Sequence, residues 1–295
     1  MGRFLCLYAS QVAAAVRQNR YKKPAQALLE AWQRVDEAGY RAALARNACE
    51  DKDDRLQALS TKHPTVAAAL AQSLDEAPAD AGEVQVALQA VTTAAKQAPL
   101  SAEDANTVKE ALRTNLFTEY GTRREASVVD MLNEQRGMGI TPDPGFHKVQ
   151  LGEVRGEPWF IGGKVDGLRQ AHGGLQVVEV KNRVNRLFHG VPPYENVQCQ
   201  AYMRLVDAAS CLLVQCYRPD PDSEPQIQVH RIARDEAAWT GDLVPRMAAF
   251  MTALVALLDE PDRQDALLKS GAQGRLVDTW LRAASGTRQF SGSEC

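Results

Sequence analysis

Three observations in this sequence predict an α/β core, a mixed β-sheet flanked by helices and interrupted by an α-helical insertion. The first is the order of patterns. A helical amino end is followed, from about residue 115, by a helix, three strand-like runs, a helix and two more strand-like runs. The second is the stretch 40–114, much of it rich in alanine, glutamine and acids and poor in aromatic and β-branched residues, a composition that suits helices joined by loops. The third is the segment 161–183, IGGKVDGLRQAHGGLQVVEVKNR, in which two strand-forming runs flank a turn where Gly173 and Gly174 can take positive φ. That pattern reads as a β-hairpin. Four parts follow: 1–39 as the amino-terminal helical part of the core, 40–114 as the insertion, 115–260 as the main core, and 261–295 as a carboxy-terminal helix with a polar tail.

In chain order, residues 7–18 carry an apolar helical period with Ser10 placed as an N-cap candidate. Tyr21-Lys-Lys-Pro24 breaks it, and Pro24 suits the first turn of a second helix over 25–38. Within the insertion, 76–82 reads as a loop. Ser101-Ala-Glu-Asp104 is a capping box before a helix near 102–112, and a further helix over 118–136 should end at Gly137-Met-Gly139. Strands are expected at 146–151, 159–168 and 175–181, then a helix over 194–208 and strands at 211–217 and 227–232. A long helix over 235–258, with Pro245 early in it, and a last helix near 274–284 precede a polar tail, 285–295, that should fray.

Composition narrows the functional classes. No apolar run approaches the length of a bilayer span, the start is too short of apolar residues for a secretory signal, and the myristoylation pattern is not met, so no membrane partner is expected. The six cysteines show no CxxC spacing, which argues against a zinc knuckle, an iron–sulfur cluster or a disulfide framework. They read as reduced thiols of an intracellular compartment, cytoplasm and nucleus not being distinguished. A formal net charge of −3 neither recommends nor excludes a nucleic-acid partner, but Arg17 to Lys23, Arg123-Arg124 and Lys181 to Arg186 form local basic clusters. His147, His172, His189 and His230 have no triad or zinc spacing and read as surface or loop residues.

The chemistry gathers in the hairpin. Strand alternation puts Glu179 and Lys181 on one face, with Asp166 near the end of the preceding strand. Two neighbouring carboxylates repel unless a cation lies between them, and a hard, oxygen-seeking ion such as Mg²⁺ is the usual occupant. Such an ion can hold a phosphate oxygen, with the lysine orienting the attacking water, which points to phosphodiester hydrolysis. An acid-X-lysine on the exposed face of a hairpin is also a common structural pair. Here, however, Glu179 stands within the apolar run Val177 to Val180, where a charge needs a partner. Elsewhere, Glu125 lies four residues after Gly121, and Gln198 and Tyr202 share a helix face.

Taken in order, Glu125, Gly163-x-x-Asp166-Gly, Glu179-x-Lys181 and Gln198-x-Gln-x-Tyr202 resemble the PD-(D/E)XK nuclease superfamily, and within it the lambda-exonuclease or YqaJ-type viral recombinase branch. Tyr8-Ala-Ser10 and Tyr21 to Pro24 resemble that branch's amino-terminal motifs, so the likeness covers 3–30 and about 115–260. It implies a restriction-endonuclease-like core and a Mg²⁺-dependent deoxyribonuclease, with Mn²⁺ able to substitute, acting 5′ to 3′ on linear duplex DNA in recombination or repair. In the implied roles Asp166, Glu179 and the Val180 carbonyl ligate the metal, and Glu125 supports a second metal or its waters. Lys181 polarises the nucleophile and Gln198 aligns it. Arg3 and Ser10 hold a terminal 5′-phosphate, while Arg20, Lys22, Arg183, Arg186 and Tyr202 contact DNA. A homo-oligomer and a single-strand annealing protein are candidate partners. The rivals are an endonuclease of the same fold and a catalytically silent DNA-binding or scaffold protein.

Overall fold

The computed structural model describes residues 2–75, 78, 80–143, 145–270 and 275–286. The fold class is the expected one: mixed sheets flanked by helices, with a helical insertion. The expected tail beyond Gly286, Cys295 and part of the 76–82 loop lie outside the described residues.

The amino end corrects the first expectation. Leu5–Tyr8 is a strand, β1, and only Ala9–Ala15 is helical, as α1. Leu5 and Leu7 are fully buried, and β1 pairs in parallel with a later strand. Tyr8 occupies the N-cap position of α1 without a side-chain cap, so Ser10 lies inside the helix and does not cap it. Pro24 opens α2 (Pro24–Val35) as its φ constraint favours. The next helix, α3 (Glu37–Arg46), belongs to the main core through Tyr40, Ala43 and Leu44, so the separate insertion starts later than residue 40. It comprises α4 (Lys52–Lys62), α5 (Pro64–Asp75), α6 (Ala81–Gln97) and the first half of α7 (Ala102–Arg136). These pack about their own centre of Leu59, Val66, Val108, Leu112 and Leu116.

The two helices expected in α7 are one, because nothing between 112 and 118 breaks the backbone and Leu112 and Leu116 continue one buried stripe. Ser101 caps its start by accepting from the Asp104 N–H, and Gly137, at φ 59°, ends it in the left-handed region that suits glycine. The strands β2 (Thr141–Pro142), β3 (His147–Val154), β4 (Glu157–Gly163), β5 (Gly167–Ala171) and β6 (Gly174–Arg183) follow. After them come α8 (Pro193–Leu205), β7 (Ser210–Tyr217) and β8 (Gln226–Ala233). One sheet runs β1-β4-β3 and the other β2-β5-β6-β7-β8. The single strand expected over 159–168 is therefore two strands in two sheets.

The larger sheet is covered on both faces. On one, Val177, Cys211 and Leu213 join the main core with α1, α2 and α8. On the other, Val178, Val180, Leu212 and Val214 meet Val128, Val129 and Leu132 of α7. Helix α9 (Glu236–Ala238), a π-helical turn over Trp239–Leu243 and α10 (Val244–Asp259) form one rod, followed by α11 (Pro261–Ser270) and α12 (Arg275–Gly286). By length and hydropathy the rod Glu236–Asp259 could cross a membrane, contrary to the sequence expectation, but Met247, Phe250, Met251 and Leu254 lie buried in the core. Cys6, Cys49, Cys199, Cys211 and Cys216 are free thiols.

Candidate active site

The site forms where the chain leaves one sheet for the other. β4 ends at Gly163, over which α1 and α8 close: a Cβ there would lie 3.2 Å from Ala9 Cβ and 3.1 Å from the Tyr202 ring. Lys164, Val165 and Asp166 then cross to β5, whose first residue, Gly167, pairs with Val178. Beyond that rung β6 runs on with β7 alone beside it, and Asp166 fills the position β5 would have continued into. Its Oδ2 accepts from the Val180 N–H at 2.7 Å. A residue's N–H and C=O point to the same side of a strand, so the Val180 carbonyl also faces Asp166.

Glu179 and Lys181 share the α8 side of β6, as alternation requires, and Lys181 Nζ donates to Glu179 Oε1 at 2.5 Å. Glu179 is only 2% exposed, and its Oε2 is buried without a hydrogen-bond donor among the described residues. Burial pushes its carboxyl up to about 8, Lys181 only partly opposing this while Asp166 and Glu125 add repulsion. Burial likewise raises Asp166, against the pull of the Val180 N–H, of Lys181 and of a hydrogen bond that the Glu179 carboxyl can give it when protonated. Burial opposes the Lys181 charge, but Glu179 and Asp166 outweigh it and hold the ammonium above its ordinary range. It is therefore a fixed cation and hydrogen-bond donor.

Glu125 reaches the site from the opposite helix. Asn182 Nδ2 donates to the Gly121 carbonyl at 3.0 Å, pinning α7 to the end of β6 one turn before Glu125. Burial and then Asp166 push Glu125 up to about 7. Gln198 Nε2 donates to the Tyr202 hydroxyl at 3.0 Å, and Tyr202, raised mainly by burial and then by Glu179, lies in the field of the same acids. Tyr202 is 7% exposed, so it belongs to the wall of the site and is not an outward contact.

Asp166, Glu179, Lys181, Glu125, Gln198 and Tyr202 are thus brought together, and three other expected residues are not available as read. The Arg183 guanidinium donates to both Glu195 oxygens at 2.7 Å and to Gln215 at 2.8 Å, with 10% of its side chain exposed. It is committed to the fold. Arg3 pairs with Glu157 and Asp259, at the end of β1 opposite Ser10. The length of the strand separates the two, so they cannot share one phosphate. Lys22 pairs with Glu30 at 2.5 Å. Ser10, Arg20 and Arg186 are exposed. The sequence reading missed Glu195, Gln215, Phe188 and Tyr194; only the placement of Glu195 in the first turn of α8 was a sequence signal.

Among the described residues no three His, Cys, Asp or Glu side chains converge into a complete metal cage. The donor set nonetheless fits a hard divalent cation, which keeps several waters and needs only one or two carboxylates. Among the described residues no donor reaches Glu179 Oε2, Asp166 faces the same space, and the Val180 carbonyl is directed toward it.

No family model matches the chain, and no curated protein matches it. Among solved structures it is similar to an alkaline exonuclease, LHK-Exo, from Laribacter hongkongensis, at 19% identity and TM-score 0.39 over 70% of this chain and 98% of that one. The same protein in complex with dAMP matches at 19% identity and TM-score 0.39, over 68% and 93%. SSO0001 matches at 15% identity and TM-score 0.34, over 58% and 83%. At these scores the likenesses assign nothing; what the chain does is read from its own residues.

Proposed function

We propose that this protein is a metal-dependent nuclease that hydrolyses DNA phosphodiester bonds. The observation that carries this reading is a buried carboxylate, Glu179, with one oxygen held by Lys181 and the other without a partner, facing a second buried carboxylate. Fold stability alone gains nothing from that arrangement, since an unpaired buried acceptor costs about 1–3 kcal/mol. Asp166, Glu179 and the Val180 carbonyl would hold the cation, and Glu125 would support a second one or its waters. Bound there, Mg²⁺, or Mn²⁺ in its place, supplies charge neutralisation at the phosphate being cut.

The remaining roles belong to the chain. Lys181, fixed as an ammonium, orients the attacking water and stabilises negative charge developing at the phosphorus. Gln198, steadied by Tyr202, aligns the same water. Exposed Ser10, Arg20 and Arg186 would contact the backbone of the DNA.

A 5′-to-3′ exonuclease on linear duplex DNA, serving recombination or repair, is the preferred mode. It rests on the resemblance at Tyr8 to Ser10 and Tyr21 to Pro24. The separation of Arg3 from Ser10 keeps an endonuclease of the same fold as the second reading. Digestion of linear and closed circular duplex with Mg²⁺, then with EDTA, tests both. Loss of the linear form alone, stopped by EDTA, supports the exonuclease; nicking of circles supports the endonuclease. No cleavage of either form with Mg²⁺ or Mn²⁺ contradicts the reading.

A further inference from the structure

The three-stranded sheet turns one face to the core through Leu5, Leu7, Trp159 and Ile161, so alternation sends Phe4, Tyr8 and Phe160 to its outer face. Phe4 and Phe146, the residue before β3, are 51% and 46% exposed, large rings that folding leaves in water. The rings form two groups. Phe4 and Phe160 lie 5.7 Å apart between centroids, and Tyr8 meets Phe146 edge to face at 5.8 Å. Gly162 lets the Phe146 ring lie against the sheet, since a Cβ there would come within 2.6 Å of it. Each group carries a cation. Lys148 Nζ is 5.3 Å from the centre of the Phe4 ring and 5.6 Å from that of Phe160, and the Arg34 guanidinium is 4.0 Å from that of Tyr8. Arg34 is steadied by the Cys6 carbonyl at 2.8 Å, and among the described residues no carboxylate pairs with either cation. Glu153, an acid on the same side, lies at the far end of the edge strand, level with Pro158.

From this face we infer a second nucleic-acid site, an open sheet surface that binds single-stranded nucleic acid of any sequence, with one base on each ring group and a phosphate on each cation. It lies outside the cleft between β6 and α8, shares no residue with the carboxylate site and does not rest on the nuclease reading. Aromatic rings offer a surface that every base can stack on, and sheets that display them hold two or three bases this way. Phe4 and Tyr8 stand about 13 Å apart along β1, four residues of strand, so the two groups take separate bases. Paired bases hide their faces inside the helical stack, so the site excludes duplex. The charges decide the occupant. An apolar partner would need the rings alone, whereas cations held over the rings without carboxylate partners suit a chain that alternates flat bases with anions.

The test is fluorescence anisotropy of labelled oligo-dT and oligo-dA with the full chain in EDTA, followed by ultraviolet crosslinking of the bound oligo-dT and mapping of the linked peptides. Both oligonucleotides should bind, with crosslinks at Phe4, Phe146 or Phe160. Phe4→Ala and Phe146→Ala, both at exposed positions, should each weaken binding about five- to a hundredfold, the range of a lost base stack, and Phe4→Trp should keep the affinity. Lys148→Gln should weaken binding and lower the slope of log affinity against log salt by about 0.7, the share of one phosphate contact on a single strand. Affinity unchanged in Phe4→Ala and Lys148→Gln, crosslinks confined to other peptides, or a parent chain that binds neither oligonucleotide overturns the site. Sedimentation separates the remaining occupant: a parent oligomer that Phe4→Ala dissolves while the oligonucleotide affinity stays the same makes this face a contact between copies and also overturns the proposal.

Discussion

Strand β6 carries two buried acid–base groups on one face, and they are built in opposite ways. Arg183 and Glu195 meet through two hydrogen bonds of 2.7 Å, with Gln215 and the Phe188 ring completing the shell. Lys181 and Glu179, two residues earlier, share one hydrogen bond and leave Glu179 Oε2 without a partner beside the raised carboxyl of Asp166. Burial is comparable, since the Glu195 and Glu179 side chains are each 3% exposed. The difference teaches that desolvation alone does not mark a functional site; what sets Glu179 apart is unused hydrogen-bonding capacity next to a second buried carboxyl that is raised with it. The first pair holds the loop after β6 to α8, and the second is kept short of a ligand.

The strongest way to break this contrast is to delete one member of each. Glu179→Ala and Asp166→Ala should lower Mg²⁺-dependent cleavage by at least about a hundredfold while costing the metal-free fold less than the loss of Glu195 does, because the Lys181 side chain, 26% exposed where that of Arg183 is 10%, can turn to water when its partner goes. Glu195→Ala should do the reverse at the level of the fold, losing about 3–5 kcal/mol by leaving Arg183 buried and unpaired. Denaturant melts alongside cleavage assays separate the two; equal destabilisation at both sites would erase the distinction.

Lys181→Ala comes next. It should slow turnover by about a hundredfold, the scale of one charged donor to a transition state, yet leave cation binding intact or tighter, since it uncovers Glu179 Oε1 and removes a positive charge. Cation binding abolished in that variant would overturn the role.

The pH dependence sharpens the comparison further. The folded-state carboxyl of Glu179 lies near 8 against an ordinary 4.5, so between those values the metal-free fold holds a proton that the unfolded chain has released. Its contribution to stability is therefore present below about pH 4.5 and is lost as pH rises toward 8. Melting in EDTA should show that decline, and Mg²⁺ should reverse it more at pH 8 than at pH 5.5, because the cation displaces the proton. A Mg²⁺ effect independent of pH would contradict the assignment.

The smallest effect is expected at Arg3. Paired with Glu157 and Asp259 at the far end of β1, Arg3→Ala should cost at most about 1 kcal/mol and leave any preference for a 5′-phosphorylated end unchanged. A lost end preference in digestion assays would reopen the phosphate pocket first expected with Ser10.

Legibility followed the range of the interactions. The acid-X-lysine alternation on β6 and the Gly137 helix stop were readable because they are set by periods and backbone preferences within a few residues. The switch of sheets at Lys164 to Asp166 was not, because β4 and β5 both read as strand and only β1, at the far amino end of the chain, draws β4 into a sheet separate from the β5–β6 hairpin. Arg183 was misread for the same reason: nothing local distinguishes an arginine aimed at DNA from one enclosed by Glu195 and Gln215. The continuity of α7 hid the join between insertion and core, since one helix serves the hydrophobic centres of both.

Whether the unused hydrogen-bonding capacity at Glu179 is reserved for a cation can be measured directly by titrating Mg²⁺, and then Mn²⁺, into the metal-free protein by calorimetry at pH 7 in two buffers of different ionisation heat. The account predicts saturable binding with proton release, abolished in Glu179→Gln and Asp166→Asn and retained in Lys181→Ala and Arg3→Ala. Binding that is absent from the parent, or that persists in Glu179→Gln and Asp166→Asn, would contradict it.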